Sequence, residues 1–414
     1  MSTTIDADHR ERLDATLARA TAGTRAIPGA VAMLTDRDGE LYRGASGVST
    51  PIDAEPGAAT PVDTDTVLAV LSITKPVAAV AVLQLVEDGQ LDLDAPAARY
   101  LPALGKVKVI DGYEADGAPR LRPPRREITT RMLLLHTAGF AYSNFNHDIK
   151  RLEDAGHLPY IGASTKAGLI SHLVRDPGEA WEYGLGMDWA GQVVEAVAGA
   201  RLGEVMAQRI FAPLAMGSTA FTMSEAMVSR LSAVHARLPD GSLLPIDFVL
   251  PQEPEVEMAG HGLYSTAADF TAFLRMWLAD GEGPGGRVLR PETVAEASRN
   301  GLGRLRVRPL PAANTDVVGA PLDMFPGTSR SWSLGFMVND EQVHTGRSAG
   351  SLSWGGLANS FCWVDPARGV AGFWSTQVLP FLDPTSAEAF RRFETAVYDS
   401  LPDPAARPSA LAAR

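Results

Sequence analysis

An α+β fold is what this 414-residue chain predicts, with an antiparallel sheet flanked by helices beside a mostly α-helical domain. Three observations carry that reading. A helix and a hairpin open the chain, helical patterns dominate 66–217, and beyond Gly217 strands and glycine-rich turns lead to a closing helix. The expected division is therefore discontinuous: 1–65 with 218–400 as the sheet domain, 66–217 as the helical domain, and 401–414 as a frayed tail.

Each element has its own local reason. Residues 6–22 form an amphipathic pattern with Leu13 and Leu17 on one side. Residues 30–34 and 41–44 flank Asp38-Gly39, a dipeptide suited to a tight turn between strands. Residues 48–65, rich in Pro, Gly, Asp and Thr, read as a loop. The run Pro76 to Val86 is apolar nearly all round, which predicts a buried helix, and Gly89 ends it. An irregular surface excursion is expected from Leu91 to about Glu127. Thr129 or Thr130 then caps a short helix, 132–135, closed at His136. Helical patterns recur at 165–175, 187–198 and 202–211. Strands are expected at 357–364 and 370–376, and Thr385 with Glu388 spells a capping box for a last helix that buries Phe390, Phe393 and Val397.

Composition excludes several classes of function. At 45% hydrophobic residues the chain can bury a large core. A net charge of −12 offers no basic stripe, so nucleic acid is not an expected partner. No run is long enough to span a bilayer, and the N-terminus lacks the regions of a signal peptide, so the expected location is cytoplasmic and no membrane partner is expected. The single cysteine, Cys362, sits in a strand pattern and is read as core. His136, His147, His157 and His172 lack the spacing of a metal site, so neither metal nor cofactor is expected. Nothing in the sequence sets the oligomeric state.

The stretch that carries chemistry is Ser72-Ile73-Thr74-Lys75, at the start of the apolar helix. At that spacing Lys75 lies one turn from Ser72 on the same face, and helix N-terminal N–H groups stabilise negative charge beside it. Gly346-Arg347-Ser348-Ala349-Gly350 spells a competing nucleophile elbow. A triad built on it needs a later histidine, and none follows Ser348, so it is assigned to a turn.

With this first motif, and with the passages 133–139, 211–217 and 262–269, the chain resembles the serine β-lactamase and penicillin-binding-protein superfamily, and within it the β-lactamase-fold esterases and acyltransferases. The resemblance spans roughly 27–400 and implies an active site between the two domains. It also implies a second motif built on a tyrosine. Tyr142-Ser143-Asn144 has the letters, whereas Tyr183 has the context, after the His136-Thr137-Ala138-Gly139 segment and directly before a helix. Tyr183 is the choice, which puts Leu185 where the family carries a substrate-holding asparagine and counts against lactams. For the third motif His344-Thr345-Gly346 and Lys166-Ala167-Gly168 compete with Trp354-Gly355-Gly356, which runs into a strand as the motif does in the family. By the same match the N–H groups of Ser72 and Leu357 form the oxyanion hole, and His261 borders the site within a segment that is usually glycine-rich.

The expected function is a serine hydrolase that cleaves small or medium carboxylic esters through an acyl-enzyme on Ser72, with acyl transfer as a close relative. Lys75 and Tyr183 share the proton work. Either Lys75 holds Tyr183 as a phenolate base, or burial makes the lysine itself the base. The alternatives are a β-lactamase or D,D-peptidase, and a catalytically silent binding protein of the same fold. The expected partner is a small-molecule ester.

Overall fold

The computed structural model describes residues 5–49 and 59–402, so most of the expected tail and the middle of the expected 48–65 loop lie outside the described residues. Asp6 caps α1 (Ala7–Ala20) by accepting from the His9 N–H, and Leu13 and Leu17 form its buried stripe. The expected hairpin is β1 (Gly29–Thr35) with β2 (Glu40–Ser49), and a short β3 (Thr60–Pro61) extends it at the edge. A 3₁₀ turn at Leu71–Ile73 then leads into α2 (Thr74–Glu87), in which every residue from Thr74 to Leu85 is buried. Its lack of a polar face requires neighbours all round.

Two expectations in the helical region fail for stated reasons. The 91–127 excursion is not wholly irregular, because Val109–Tyr113 pairs with Pro119–Arg122 in a hairpin whose alternation is blurred by charged side chains. The helix expected at 165–175 shrinks to one 3₁₀ turn, Ala167–Leu169, and Ile170 beyond it is extended and largely exposed. A helix forms instead at His147–Asp154, where Asn146 accepts from two backbone N–H groups. The remaining helices that matter for the site are α3 (Thr130–Leu134), capped by Thr129, α4 (Gly186–Ala198), ended by Gly199 at φ 68°, and α5 (Ala267–Leu278), capped by Thr266.

The sheet is completed by β4 (Arg330–Trp332), β5 (Met337–Asn339), β6 (Leu352–Gly356), β7 (Ser360–Asp365) and β8 (Val370–Ser375), in the order β4-β5-β6-β7-β8-β1-β2-β3, all antiparallel. The strand expected at 357–364 begins only at Ser360, and a separate strand precedes it. Ser353 to Gly356 belong to β6, and a turn through Asn359, at φ 58°, returns the chain as β7. Successive residues of β8 face opposite layers: Phe373 packs against Phe270 of α5, and Trp374 against Phe393 of the closing helix α6 (Pro384–Ser400). With both faces covered, β1, β7 and β8 are buried along their whole length. Cys362 of β7 is buried here, its thiol pushed up to about 12 by burial.

The cap of α6 is Asp383, not the expected Thr385, which lies inside the helix. Asp383 accepts from the Ser386 N–H at 2.9 Å, is fully buried, and pairs with Arg237 through both carboxylate oxygens. Asp383→Ala removes a cap and leaves the largely buried Arg237 guanidinium without its carboxylate, with only the Gly241 carbonyl as a partner, so an expected loss of about 3 kcal/mol follows from the usual cost of breaking a buried pair. Urea unfolding measures it; a loss below about 1 kcal/mol is what a surface pair gives.

Candidate active site

Ser72 lies on the 3₁₀ turn ahead of α2, and the residue before it, Leu71, has φ 50°. That conformation is sparse for a leucine and costs on the order of 1 kcal/mol, so the surroundings must enforce it. They do so from two sides. On one, Val70 donates to the Leu263 carbonyl and the Leu263 N–H donates to Thr74 Oγ1. On the other, Gly356 at the end of β6 sits so close that a Cβ there would lie 2.3 Å from the Val70 carbonyl oxygen. A glycine is required at 356 for that approach.

Lys75, fully buried one turn along, donates to Ser72 Oγ at 3.2 Å and to the Gly260 carbonyl at 2.7 Å. Burial pulls its ammonium down to about 7, against a smaller opposing pull from Asp188. Its Nζ lies 4.6 Å from the centre of the Tyr183 ring and 5.2 Å from that of Tyr142. The competing tyrosines are therefore neighbours, with ring centres 5.3 Å apart. The backbone explains it: Tyr142 N–H donates to the Tyr183 carbonyl, Glu182 N–H to the His136 carbonyl, and Gly184 packs on the 140–141 backbone.

Their hydroxyls have different partners. Tyr183 meets the Ser72 side chain and accepts from Trp354 Nε1 at 3.2 Å, whereas Tyr142 donates to Asp188 Oδ2 at 2.9 Å. Burial pushes the Tyr183 phenol above its ordinary range, and the hydrogen bonds from Ser72 and Trp354 only partly offset that. Desolvation opposes the phenolate alternative, since Tyr183 and Lys75 are both deep in the protein. His136, at φ 54° where α3 closes, is buried with its ring centre 4.9 Å from that of Tyr183, and burial keeps it neutral.

Ser72 and both tyrosines lie at a cavity of about 470 Å³, while Lys75 and His136 stand behind its lining. Ser72, Tyr183, Trp354, Gly355, Leu357 and His261 all line it. Gly356 does not; its role is the close approach to Val70. Leu185 does not line it either, contrary to the substrate-binding role expected of that position. It caps α4, and its side chain borders a small separate pocket with Ala141 and Ser143. His344-Thr345-Gly346 does not line the cavity, and Thr345 bonds instead to Glu394 of α6. Ser348 of the rejected elbow stands in the same turn region, its N–H on Asp365. Lys166 binds Glu255 at the surface.

The 303–330 stretch supplies a wall through Val307, Leu310, Leu322 and Met324, whereas residues 105–127 contribute nothing to the lining. Asn144, the last letter of the competing tyrosine motif, fixes that wall: it accepts from Ala313 N–H at 3.0 Å and from Asn314 Nδ2 at 3.1 Å. Two participants were not singled out from sequence. Asp188 appears there only as a letter of a helix, although an acid between Met187 and Trp189 on an apolar face is a readable signal. Gly260 contributes a backbone carbonyl, which no letter announces.

Among the described residues, no group of three or more His, Cys, Asp or Glu is placed to hold a metal ion, and no helix is long and apolar enough to cross a membrane.

A family model described as Beta-lactamase matches residues 13–396. Monacolin J acid methylbutanoyltransferase of Aspergillus terreus is 31% identical over 390 residues, covering 91% of this chain and 92% of that protein. Lovastatin esterase of Penicillium rubens is 31% identical over 396 residues, covering 91% and 95%. Among solved structures, a LovD6 mutant of simvastatin synthase from Aspergillus terreus superposes with a TM-score of 0.83 at 29% identity, covering 95% of each chain.

Proposed function

The chain belongs to the beta-lactamase family, and we propose that within it the protein is a serine ester-processing enzyme that acylates Ser72 and passes the acyl group to water or to an alcohol. The observation that carries this is the 3.2 Å contact of Lys75 Nζ with Ser72 Oγ at a cavity walled mainly by apolar side chains. A cavity of about 470 Å³ suits a small or medium ester. The similar proteins bear names for both fates of such an acyl group, transfer of a methylbutanoyl group and hydrolysis of an ester.

The proton path follows from the two acid–base groups. Lys75, drawn down to about 7, is partly neutral at neutral pH and takes the Ser72 proton as Oγ attacks the ester carbonyl. The resulting oxyanion is held by the N–H groups of Ser72 and Leu357, a role supported by both residues lining the cavity. As the tetrahedral adduct collapses, the leaving alkoxide takes the Tyr183 proton, and the Lys75 ammonium restores it. Trp354 Nε1–H, which can only donate, steadies the tyrosine oxygen during its brief negative charge. Deacylation runs the same path backwards, with water or an alcohol as the attacking O–H.

Substrate class is tested with p-nitrophenyl butyrate and nitrocefin side by side. Turnover of the ester is expected to exceed that of the lactam by about 100-fold or more, because no amide side chain from position 185 reaches the cavity. Nitrocefin turnover above that of the ester would sink the assignment to esters.

A further inference from the structure

We propose that Asp188 is a positioning residue for this site, a fixed buried counter-charge that holds the Gly260 turn in place and sets the protonation balance of Lys75. The inference rests on the reading of the cavity as an acyl-serine site. Asp188 is fully buried on the first turn of α4. Its Oδ1 accepts from the Gly260 N–H at 2.7 Å and its Oδ2 from the Tyr142 hydroxyl at 2.9 Å. The carbonyl of the same Gly260 accepts from Lys75 at 2.7 Å. One peptide residue thus joins carboxylate to ammonium without the two touching as an ordinary ion pair. The fit is tight: a Cβ on Gly260 would lie 2.5 Å from the Tyr142 hydroxyl and 2.6 Å from Asp188 Oδ2.

Charge explains why a carboxylate is placed there. The groups that face Lys75 are Ser72 on its own segment, Tyr142 and Tyr183 from the two tyrosine loops, His136 behind them, His261 beside Gly260, and Asp188 from α4. Burial drives both tyrosines and both histidines toward their neutral forms. Asp188 is the member of this set whose negative charge acts on the lysine. Without it, the buried ammonium loses its counter-charge, and its proton leaves at lower pH.

D188N keeps an oxygen for the Gly260 N–H and removes the charge. The chain has five lysines, so protein labelled with ¹³C at the lysine ε-carbon gives few resonances, and Lys75 is identified as the one missing in K75R. The wild-type Lys75 midpoint is expected near 7. In D188N it should fall by about one pH unit, the usual effect of losing a nearby opposite charge, and the ascending limb of kcat/KM against pH should move with it. A role in shape alone lowers the height of that limb and leaves its midpoint in place. An unmoved midpoint in folded D188N overturns the proposal. Y142F keeps the carboxylate and removes one of its donors, so its midpoint should stay or rise; a fall as large as one unit overturns the proposal even where D188N does not fold. Failure of wild-type Ser72 to form an acyl adduct would instead reject the reading of the site, and the lysine titration would still be measurable.

Discussion

Ser72→Ala is expected to lower kcat/KM for p-nitrophenyl butyrate by at least ~10⁴-fold and to abolish the mass increase of one acyl group that rapid quenching should reveal in the wild type. The size follows from the division of labour. Without the hydroxyl there is no covalent intermediate, and the remaining hydrogen-bond donors and binding surface act only on a water attack that nothing positions. Stability should change little, because Ser72 is only partly buried and the turn is fixed by Val70, Thr74 and Gly356 rather than by the serine hydroxyl. An unchanged melting temperature therefore separates lost chemistry from lost structure. Ester turnover that survives in Ser72→Ala would move the nucleophile elsewhere; Ser348 is not an heir, since its N–H is tied to Asp365 in a turn outside the cavity.

Local signals made much of this fold readable. The apolar run after Ser72 declares a buried helix because it leaves no polar face for water, and all of Thr74–Leu85 is buried. Asp38-Gly39 declares the hairpin of β1 and β2. Failures came where a decision is made by distant partners. Thr385 and Glu388 satisfy the letters of a capping box, yet Asp383 wins the cap because Arg237, far away in sequence, also needs its carboxylate. The hairpin at 109–122 is mostly surface and polar, and its pairing leaves little hydrophobic alternation to read.

In the site the same rule holds at shorter range. Ser72 and Lys75 are legible because one helical turn fixes their relation. Trp354 is legible as leading into a strand, though not the fact that it belongs to a strand of its own, ending at Gly356, and that its indole N–H reaches Tyr183. The link between Asp188 and Lys75 runs through a backbone group 72 residues further along, so nothing in either neighbourhood advertises it. The motif places Leu185 beside Tyr183 in sequence, yet Leu185 borders a separate small pocket at the start of α4.

The two tyrosines give the second large effect. Tyr183→Phe should lower kcat by about 10³-fold with a small change in KM, since general acid–base catalysis commonly contributes 10²- to 10⁴-fold and the lost hydroxyl is the one that meets both Ser72 and Trp354. Tyr142→Phe should cost roughly tenfold or less, because that hydroxyl donates to Asp188 and acts on the reaction only through it. The contrast is informative because the rings are so alike in place: both are buried, both lie about 5 Å from Lys75 Nζ, and phenylalanine preserves each ring's packing. Any difference in rate is therefore a difference in what the hydroxyl does. A comparable loss in both variants would mean that the proton path runs through the Tyr142 and Asp188 side as well, and a loss confined to Tyr142→Phe would reverse the assignment. Burst kinetics add a further check, because Tyr183 protonates the leaving alkoxide during acylation. In Tyr183→Phe the burst should shrink more for an alkyl ester, whose leaving group needs that proton, than for p-nitrophenyl butyrate, whose phenolate departs without it.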